Sequence, residues 1–335
     1  MRRFLASLVL LPTLGLAQPL EFTGWLVHWD QGASMKSYEA NAAAIQRVAP
    51  GWVEVGEDGM PRHSLSATVK VMDRAKVLAI ARKAGSQVLS LASNYNSAKG
   101  DFDAELTHLF LADKAKSKAH AAALVKLAKD DGADGIDLDY ESLKGSDREA
   151  YSRFTEMVAE MAHAQGLKLA IALHPKLSEP GDWDGAQAQD WKRLGSAVDY
   201  FRPMAYDNHW VTSDAGPIAP PDWAEKVLNF AMSLVPASKI ELGVPAYGYD
   251  WKQKKGEGLD WPMFQTLVSA KGPAKRDKAT GEWTFKYADR EVWFADSQAM
   301  RPKFALAKKK GILGLGMWRL GSEDPEFWKV LKDLR

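Results

Sequence analysis

Four acidic residues stand close together in one short stretch of the 335-residue sequence, Asp134-Gly135-Ile136-Asp137-Leu138-Asp139-Tyr140-Glu141. Alternate residues of an extended strand point the same way. Asp137, Asp139 and Glu141 therefore share one face, and Ile136, Leu138 and Tyr140 share the other. Strand rise alone sets successive acids about 6.5–7 Å apart. Carboxylates packed this closely repel, so at least one must hold its proton more tightly than a free side chain does. A carboxyl that stays protonated near neutral pH is what a general acid requires. One alternative is a solvated acidic loop, and the strict alternation with Ile, Leu and Tyr argues against it. A divalent-metal site on Asp137 and Asp139 is the other; the Asp-x-Asp-x-Asp-Gly order of a calcium loop is missing.

The elements that must hold this strand follow from hydrophobic periodicity. Apolar strand-like runs cover residues 22–29, 52–55, 87–92, 135–140, 167–173, 198–206, 240–245 and 312–318. Amphipathic helical runs at 69–83, 120–129, 151–164, 223–234 and 300–309 fall between them. Ser146-Asp147-Arg148-Glu149 has the form of a capping box opening the helix after the fourth strand. Eight such units fit an α/β fold, a single-domain (β/α)8 TIM barrel, which typically takes about 250 residues. A doubly wound open sheet shares the alternation, but no phosphate-binding Gly-rich turn follows the first strand. In a barrel the apolar face of the fourth strand belongs under the helices. The acids then point inward at the strand's C-terminal end, where barrel enzymes keep their active sites. Residues 281–293 alternate as a hairpin that turns near Ala288-Asp289-Arg290, a small insertion between strands seven and eight. That segment reads as too short for a full α/β insertion, which implies an open groove.

Met1-Arg2-Arg3, an apolar run over 4–16 and a small-residue end at Ala17 describe a signal peptide at 1–17. The barrel would then occupy 18–335 of a secreted protein, extracellular or periplasmic. A membrane span needs about 20 apolar residues and Pro12 interrupts this run, so no membrane attachment is expected after cleavage. The chain has no cysteine, hence no disulfide and no thiolate metal site. With 44 basic and 43 acidic residues its net charge is +1, which leaves no nucleic-acid footprint. Lys114-Ala115-Lys116-Ser117-Lys118 reads as a solvated helix start. Thirteen tryptophans serve equally as core and as platforms under sugar rings. No metal or cofactor is expected, and the chain is expected to be a monomer.

The acidic octapeptide resembles, at every fixed position, the Asp-Gly-x-Asp-x-Asp-x-Glu signature of glycoside hydrolase family 18, the chitinases and related N-acetylglucosaminidases. Met204-Ala205-Tyr206-Asp207 is similar to the family's Met-x-Tyr-Asp motif on strand six. Residues 242–248 resemble its strand-seven segment, and 296–303 followed by Gly314-Leu315-Gly316-Met317-Trp318 resemble its last unit. Residues 245–251 further resemble a bacterial branch with spore-cortex and peptidoglycan-processing members.

The resemblance implies a TIM barrel acting on a polysaccharide or oligosaccharide of β-1,4-linked N-acetylglucosamine, by a retaining mechanism without an enzyme nucleophile. On that analogy Glu141 protonates the glycosidic oxygen while the substrate's 2-acetamido oxygen attacks the anomeric carbon. Asp139 orients the acetamido group, and Asp137 shares a proton or hydrogen bond with Asp139. Tyr206 donates to the acetamido oxygen, Asp207 helps hold the sugar, and Trp318 forms its floor. Further candidates for the substrate wall are Trp25, His28, Trp29, Asn94, His174, Met204, Tyr247, Tyr249 and Trp251. Trp210, Trp283 and Trp293 serve equally well as core. A catalytically silent sugar-binding barrel is the alternative, against which stands the retained Glu141; a metal-dependent hydrolase is third.

Strand six departs from the usual branched apolar pattern, reading Tyr200-Phe201-Arg202-Pro203-Met204. Proline cannot donate to a ladder, so irregular pairing is expected there. Arg202 shares a face with Met204 and Tyr206, and inside a barrel it needs a partner, Asp134 or Asp137.

Overall fold

The structure, a computed structural model, describes residues 19–64 and 72–335. The signal peptide expected at 1–17 and the first residues of the helix expected at 69–83 lie outside the described residues. Eight parallel strands form the barrel: Glu21–Leu26, Arg47–Val55, Gln87–Ser93, Gly135–Asp139, Lys168–Leu173, Tyr200–Pro203, Glu241–Pro245 and Gly314–Trp318. Each is followed by a helix, in order Ala33–Asn41, Arg74–Ala84, Lys114–Asp131, Arg148–Ala164, Trp191–Ala197, Pro221–Leu234, Ser297–Lys310 and Phe327–Leu334. The barrel is the (β/α)8 TIM fold expected. Pairing runs continuously from strand seven through eight and one to six, and one bridge, Phe201 to Ile240, closes the ring.

That weak seam has a local cause. Strand six stops at Pro203 and does not run on to Tyr206 as its sequence suggests. Pro203 offers no donor toward strand seven, and beyond it Ala205 N donates to Pro203 O at 2.9 Å and Tyr206 N to Met204 O at 2.7 Å. Strand one likewise ends at Leu26, which puts Trp29 on the following loop, while strand two begins five residues earlier than its apolar run. The capping box does not form. Asp147 precedes the helix without a side-chain cap and its carboxylate meets His108 Nδ1 at 2.6 Å.

Alternation along the strands divides the core in two. Outward residues such as Ile136, Leu138 and Tyr140 pack under the helices in the main core, whereas Trp25, Leu89, Leu91, Ala170, Ala172 and Met204 fill the interior. Helix ends are fixed by Asp73, Asp113, Asp190 and Asp296, whose carboxylates accept first-turn N–H groups.

The insertion after strand seven is larger than a hairpin. The hairpin is present, Trp283–Tyr287 paired with Arg290–Phe294, inside a five-stranded antiparallel sheet completed by Gly248–Lys252, Lys255–Leu259 and Lys275–Arg276. A helix, Trp261–Lys271, packs on it around Phe264, Phe285 and Phe294. The segment is therefore long enough for a walled insertion, contrary to its sequence reading. Its signals are weak because Lys255–Leu259 has two glycines and one buried residue, and the helix buries only Phe264.

Gly316 on strand eight makes room for the Arg202 side chain. A Cβ there would lie 2.6 Å from Arg202 Cδ. Gly316→Ala is expected to lower stability by about 1–3 kcal/mol through overpacking, measured by urea denaturation; an unchanged midpoint would show that the interior has slack.

Candidate active site

The row of acids emerges at the C-terminal end of strand four. Asp137 and Asp139 end the strand, and Glu141 follows two residues later, just before Ser142 turns the chain with φ +52°. Two contacts fix that end. On the outer face, Tyr140 Oη lies 2.6 Å from His120 Nε2, and His120 Nδ1 lies 2.7 Å from Gly59 O. Burial pushes the His120 pKa down to about 4, so the ring is neutral. It donates to Gly59 and accepts from Tyr140. From strand three, Asn94 Oδ1 accepts Glu141 N–H at 2.8 Å and its Nδ2 donates to Glu141 O at 2.9 Å. Asn94 is buried and absent from the cleft wall. It grips the main chain of Glu141 and does not line the groove as its position suggests.

Beneath the row, Trp25 Nε1 donates to Asp137 Oδ2 at 3.1 Å and Arg202 Nη1 to the same oxygen at 2.6 Å. Of the two partners expected for Arg202, Asp137 is the one found; Asp134 instead accepts Val88 N–H at 2.8 Å. A third partner, not expected from the sequence, comes from strand seven. Glu241 Oε2 accepts from Arg202 Nε and Nη2 at 3.1 and 2.6 Å. Its Oε1 takes Thr23 Oγ1 at 2.6 Å and Arg47 Nη2 at 2.5 Å. Burial alone would raise Glu241, but Arg47 and Arg202 overcome it and its pKa falls to about 2. The signal available was one charged residue opening an otherwise apolar strand, Glu241-Leu242-Gly243-Val244-Pro245.

Proton affinity rises toward the mouth. Burial raises Asp137 and Arg202 opposes that rise. Asp139 is pushed up to about 7 by burial and by Asp137, and its carboxyl makes no hydrogen bond among the described residues. Glu141, 22% exposed, is pushed well above the usual carboxyl range by burial, then by Asp139 and Asp207. His174 Nδ1 stands 3.7 Å from Glu141 Oε2, too far for a hydrogen bond. Burial and Lys176 lower its pKa to about 3, so it is a neutral neighbour.

A cavity of about 690 Å³ opens over these acids. Asp139 and Glu141 share it with Met204, Tyr206, Asp207, Tyr247, Tyr249, Trp318, Trp29, His28 and Trp25. Asp207, at φ +56°, accepts from Tyr247 Oη at 2.5 Å and Tyr249 Oη at 3.1 Å. Burial lifts Asp207 to about 6 against those two phenols. Trp318 packs against Trp25 and Trp29 with centroids 5.9 and 6.4 Å away, and Trp29 is 59% exposed at the rim. Trp251 is fully buried, and Trp283 is held by Asp296 and Arg276; neither these nor Trp210 and Trp293 line the cavity. Where a metal on the inner acids would sit, Asp137 meets a guanidinium. The arrangement presents a protonated carboxyl, an ionisable one behind it, a phenol and an indole floor to one occupant, which suits acid-assisted cleavage of a C–O bond.

Asn94→Ala is expected to cost about 1–3 kcal/mol of stability by stranding the Glu141 main chain. It should also lower kcat about tenfold with little change in KM, because the acid loses its aim; an unchanged kcat would deny the positioning role.

The family model Glycosyl hydrolases family 18 matches residues 81–324. The chain is 30% identical over 266 residues to the uncharacterized glycosylase YvbX of Bacillus subtilis, covering 77% of each chain. It is 31% identical over 271 residues to a cortical fragment-lytic enzyme of Bacillus anthracis, covering 77% of this chain and 62% of that one, under two thirds of that relative's length. A crystal structure of a chitinase from Chromobacterium violaceum superposes with a TM-score of 0.85 at 27% identity, covering 94% of this chain and 98% of that one. The spore cortex-lytic enzyme SleL of Bacillus cereus superposes at 0.83 and 26%, covering 96% and 75%. The matched segment contains the acid row, Tyr206 and Asp207, and Trp318. The chain is thus a glycosidase that belongs to glycoside hydrolase family 18.

Proposed function

We propose that the protein is a retaining hydrolase of β-1,4-linked N-acetylglucosamine polymers, chitin and its oligosaccharides or the glycan strands of peptidoglycan, and that it works by substrate assistance. The observation that carries this reading is Glu141. It holds its proton tightly in a cavity that Tyr206 and Trp318 also line, and Asp139 opens into the same space with its carboxyl unengaged.

The steps follow from that placement. A sugar seated on Trp318 puts its 2-acetamido group over Asp139. Glu141 gives its proton to the glycosidic oxygen, and the acetamido oxygen closes on the anomeric carbon as the bond breaks. Ionised Asp139 accepts the acetamido N–H and faces the positive oxazolinium. Tyr206 donates its phenol proton in a hydrogen bond to the acetamido oxygen, and Asp207, held by Tyr247 and Tyr249, receives a sugar hydroxyl. Glu141, now a carboxylate, takes a proton from the water that opens the ring. Holding the internal nucleophile in place supplies much of the rate. An aromatic floor lets the ring change shape without breaking hydrogen bonds. The leader read at 1–17 supports action outside the cytoplasm.

The test compares wild-type protein and Glu141→Gln on chitin oligosaccharides and on peptidoglycan, with product identification. The variant should bind both as the wild type does and lose about 10²–10⁴-fold in kcat; a variant of near-normal rate would remove Glu141 as the acid. The pH profile carries its own prediction. Asp139 must be ionised and Glu141 protonated, so kcat/KM should rise as pH climbs through about 7, the value for Asp139, and fall only at higher pH as Glu141 loses its proton. A maximum near pH 4 would contradict those assignments.

A further inference from the structure

Glu282 is fully buried and takes no part in the steps above. It belongs to the insertion and ends a tight turn over residues 277–282. Asp277 N donates to Glu282 O at 2.9 Å, and Arg276 Nη1 holds Gly281 O at 2.7 Å. The turn directs the Glu282 carboxylate to the loop that joins strand six to its helix. There Oε2 accepts Ile218 N–H at 2.7 Å and Oε1 accepts Ala219 N–H at 2.8 Å. Burial pushes the Glu282 pKa up, and the Lys303 ammonium and the two N–H groups oppose that rise. Lys303, itself fully buried, closes the 296–303 segment and donates to Ala299 O at 3.1 Å.

From this clasp the main chain leads straight to the cleft. Ile218 O accepts Asn208 N–H at 2.9 Å. Asn208 follows Asp207, whose backbone at φ +56° is one that few residues other than glycine adopt without support. The insertion grips the same loop near its start, where Trp251 Nε1 donates to Trp210 O at 3.1 Å and Gly256 N to Val211 O at 2.7 Å. Ile218 and Ala219 pack in the same buried cluster as Met204, Tyr206 and Tyr247. A loop pinned twice leaves Asp207 one place, at the hydroxyls of Tyr247 and Tyr249.

We propose that Glu282 is a positioning residue that clasps the main chain of Ile218 and Ala219 and thereby holds Asp207 where a sugar hydroxyl meets it. The inference rests on the reading of Asp207 as a sugar-holding group. It gives the insertion a second task besides contributing Tyr249: the insertion sets the loop that carries part of the opposite wall.

A double-mutant cycle separates this role from plain stabilisation. On an N-acetylglucosamine oligosaccharide, Glu282→Ala should lower kcat/KM about tenfold, because Asp207 loses its aim. Asp207→Asn should lower it at least as far. The double variant should fall no further than Asp207→Asn alone, since Glu282 acts through Asp207. Losses that multiply, with a lower Tm, would mark a merely structural acid and overturn the proposal. Glu282→Gln keeps one acceptor and the side chain's volume, and it carries the same cycle if the alanine variant does not fold. Amide hydrogen exchange reads the clasp without any substrate. In the Glu282 variant the Ile218, Ala219 and Asn208 N–H groups should exchange about tenfold faster or more, while those of strand four keep their protection. An Asn208 amide as protected as in the wild type would also sink the idea. Should wild-type protein turn over none of these glycans, the substrate reading fails while exchange at Asn208 still decides this one.

Discussion

A carboxylate buried under two others stays on the inner face of a strand only if something neutralises it, and in this barrel that is the Arg202 guanidinium held between Asp137 and Glu241. Taking one member out of such a set leaves an uncompensated charge in the interior, at a cost of about 3–5 kcal/mol. Countercharge from Arg47 and Arg202 is strongest at the innermost acid and fades toward the cleft. Compensation is complete at Glu241, whose pKa falls to about 2, weaker at Asp139, which reaches about 7, and weakest at Glu141, which is held well above its usual range. An acid that keeps its proton and a neighbour that can give one up are thus products of one gradient of burial and countercharge along a single strand.

Geometry supplies the rest. The outer face of strand four is fixed by the neutral His120 between Gly59 and Tyr140, and its end by the side-chain amide of Asn94. Neither touches the cavity, yet both set where Glu141 points. Across the cleft, the insertion contributes Tyr249 beside Tyr247, and their hydroxyls converge on Asp207. The insertion therefore shapes the site and is more than an ornament of the barrel. Trp318, braced by Trp25, completes a floor that is rigid but chemically undemanding.

Much of this was legible beforehand. The acid row could be read because strand alternation is a local rule, and the eight units because helix and strand periodicities differ. That Arg202 points inward and needs an acidic partner, Asp134 or Asp137, followed from counting faces, and the closed barrel singles out Asp137. What escaped was non-local or weakly patterned. Glu241 and Asn94 act through partners brought together only by closing the barrel, at separations of 39 and 47 residues. Strand six ends early because Pro203 removes a donor, whereas its apolar pattern runs on to Tyr206. The five-stranded insertion hid behind a glycine-rich strand and a helix with one buried side chain. Asn94 had the right neighbourhood and a different task.

In the proposed mechanism the substrate's own acetamido group, steered by Asp139, takes the place of an enzyme nucleophile while Glu141 supplies the proton. Time-resolved NMR of the reducing ends released from an N-acetylglucosamine oligosaccharide tests it most directly. The β-anomer is expected to appear first and to mutarotate afterwards, and chains lacking the acetamido group at the cleaved sugar are expected to stay intact. Initial release of the α-anomer, or equal cleavage of the de-acetylated chain, would contradict it.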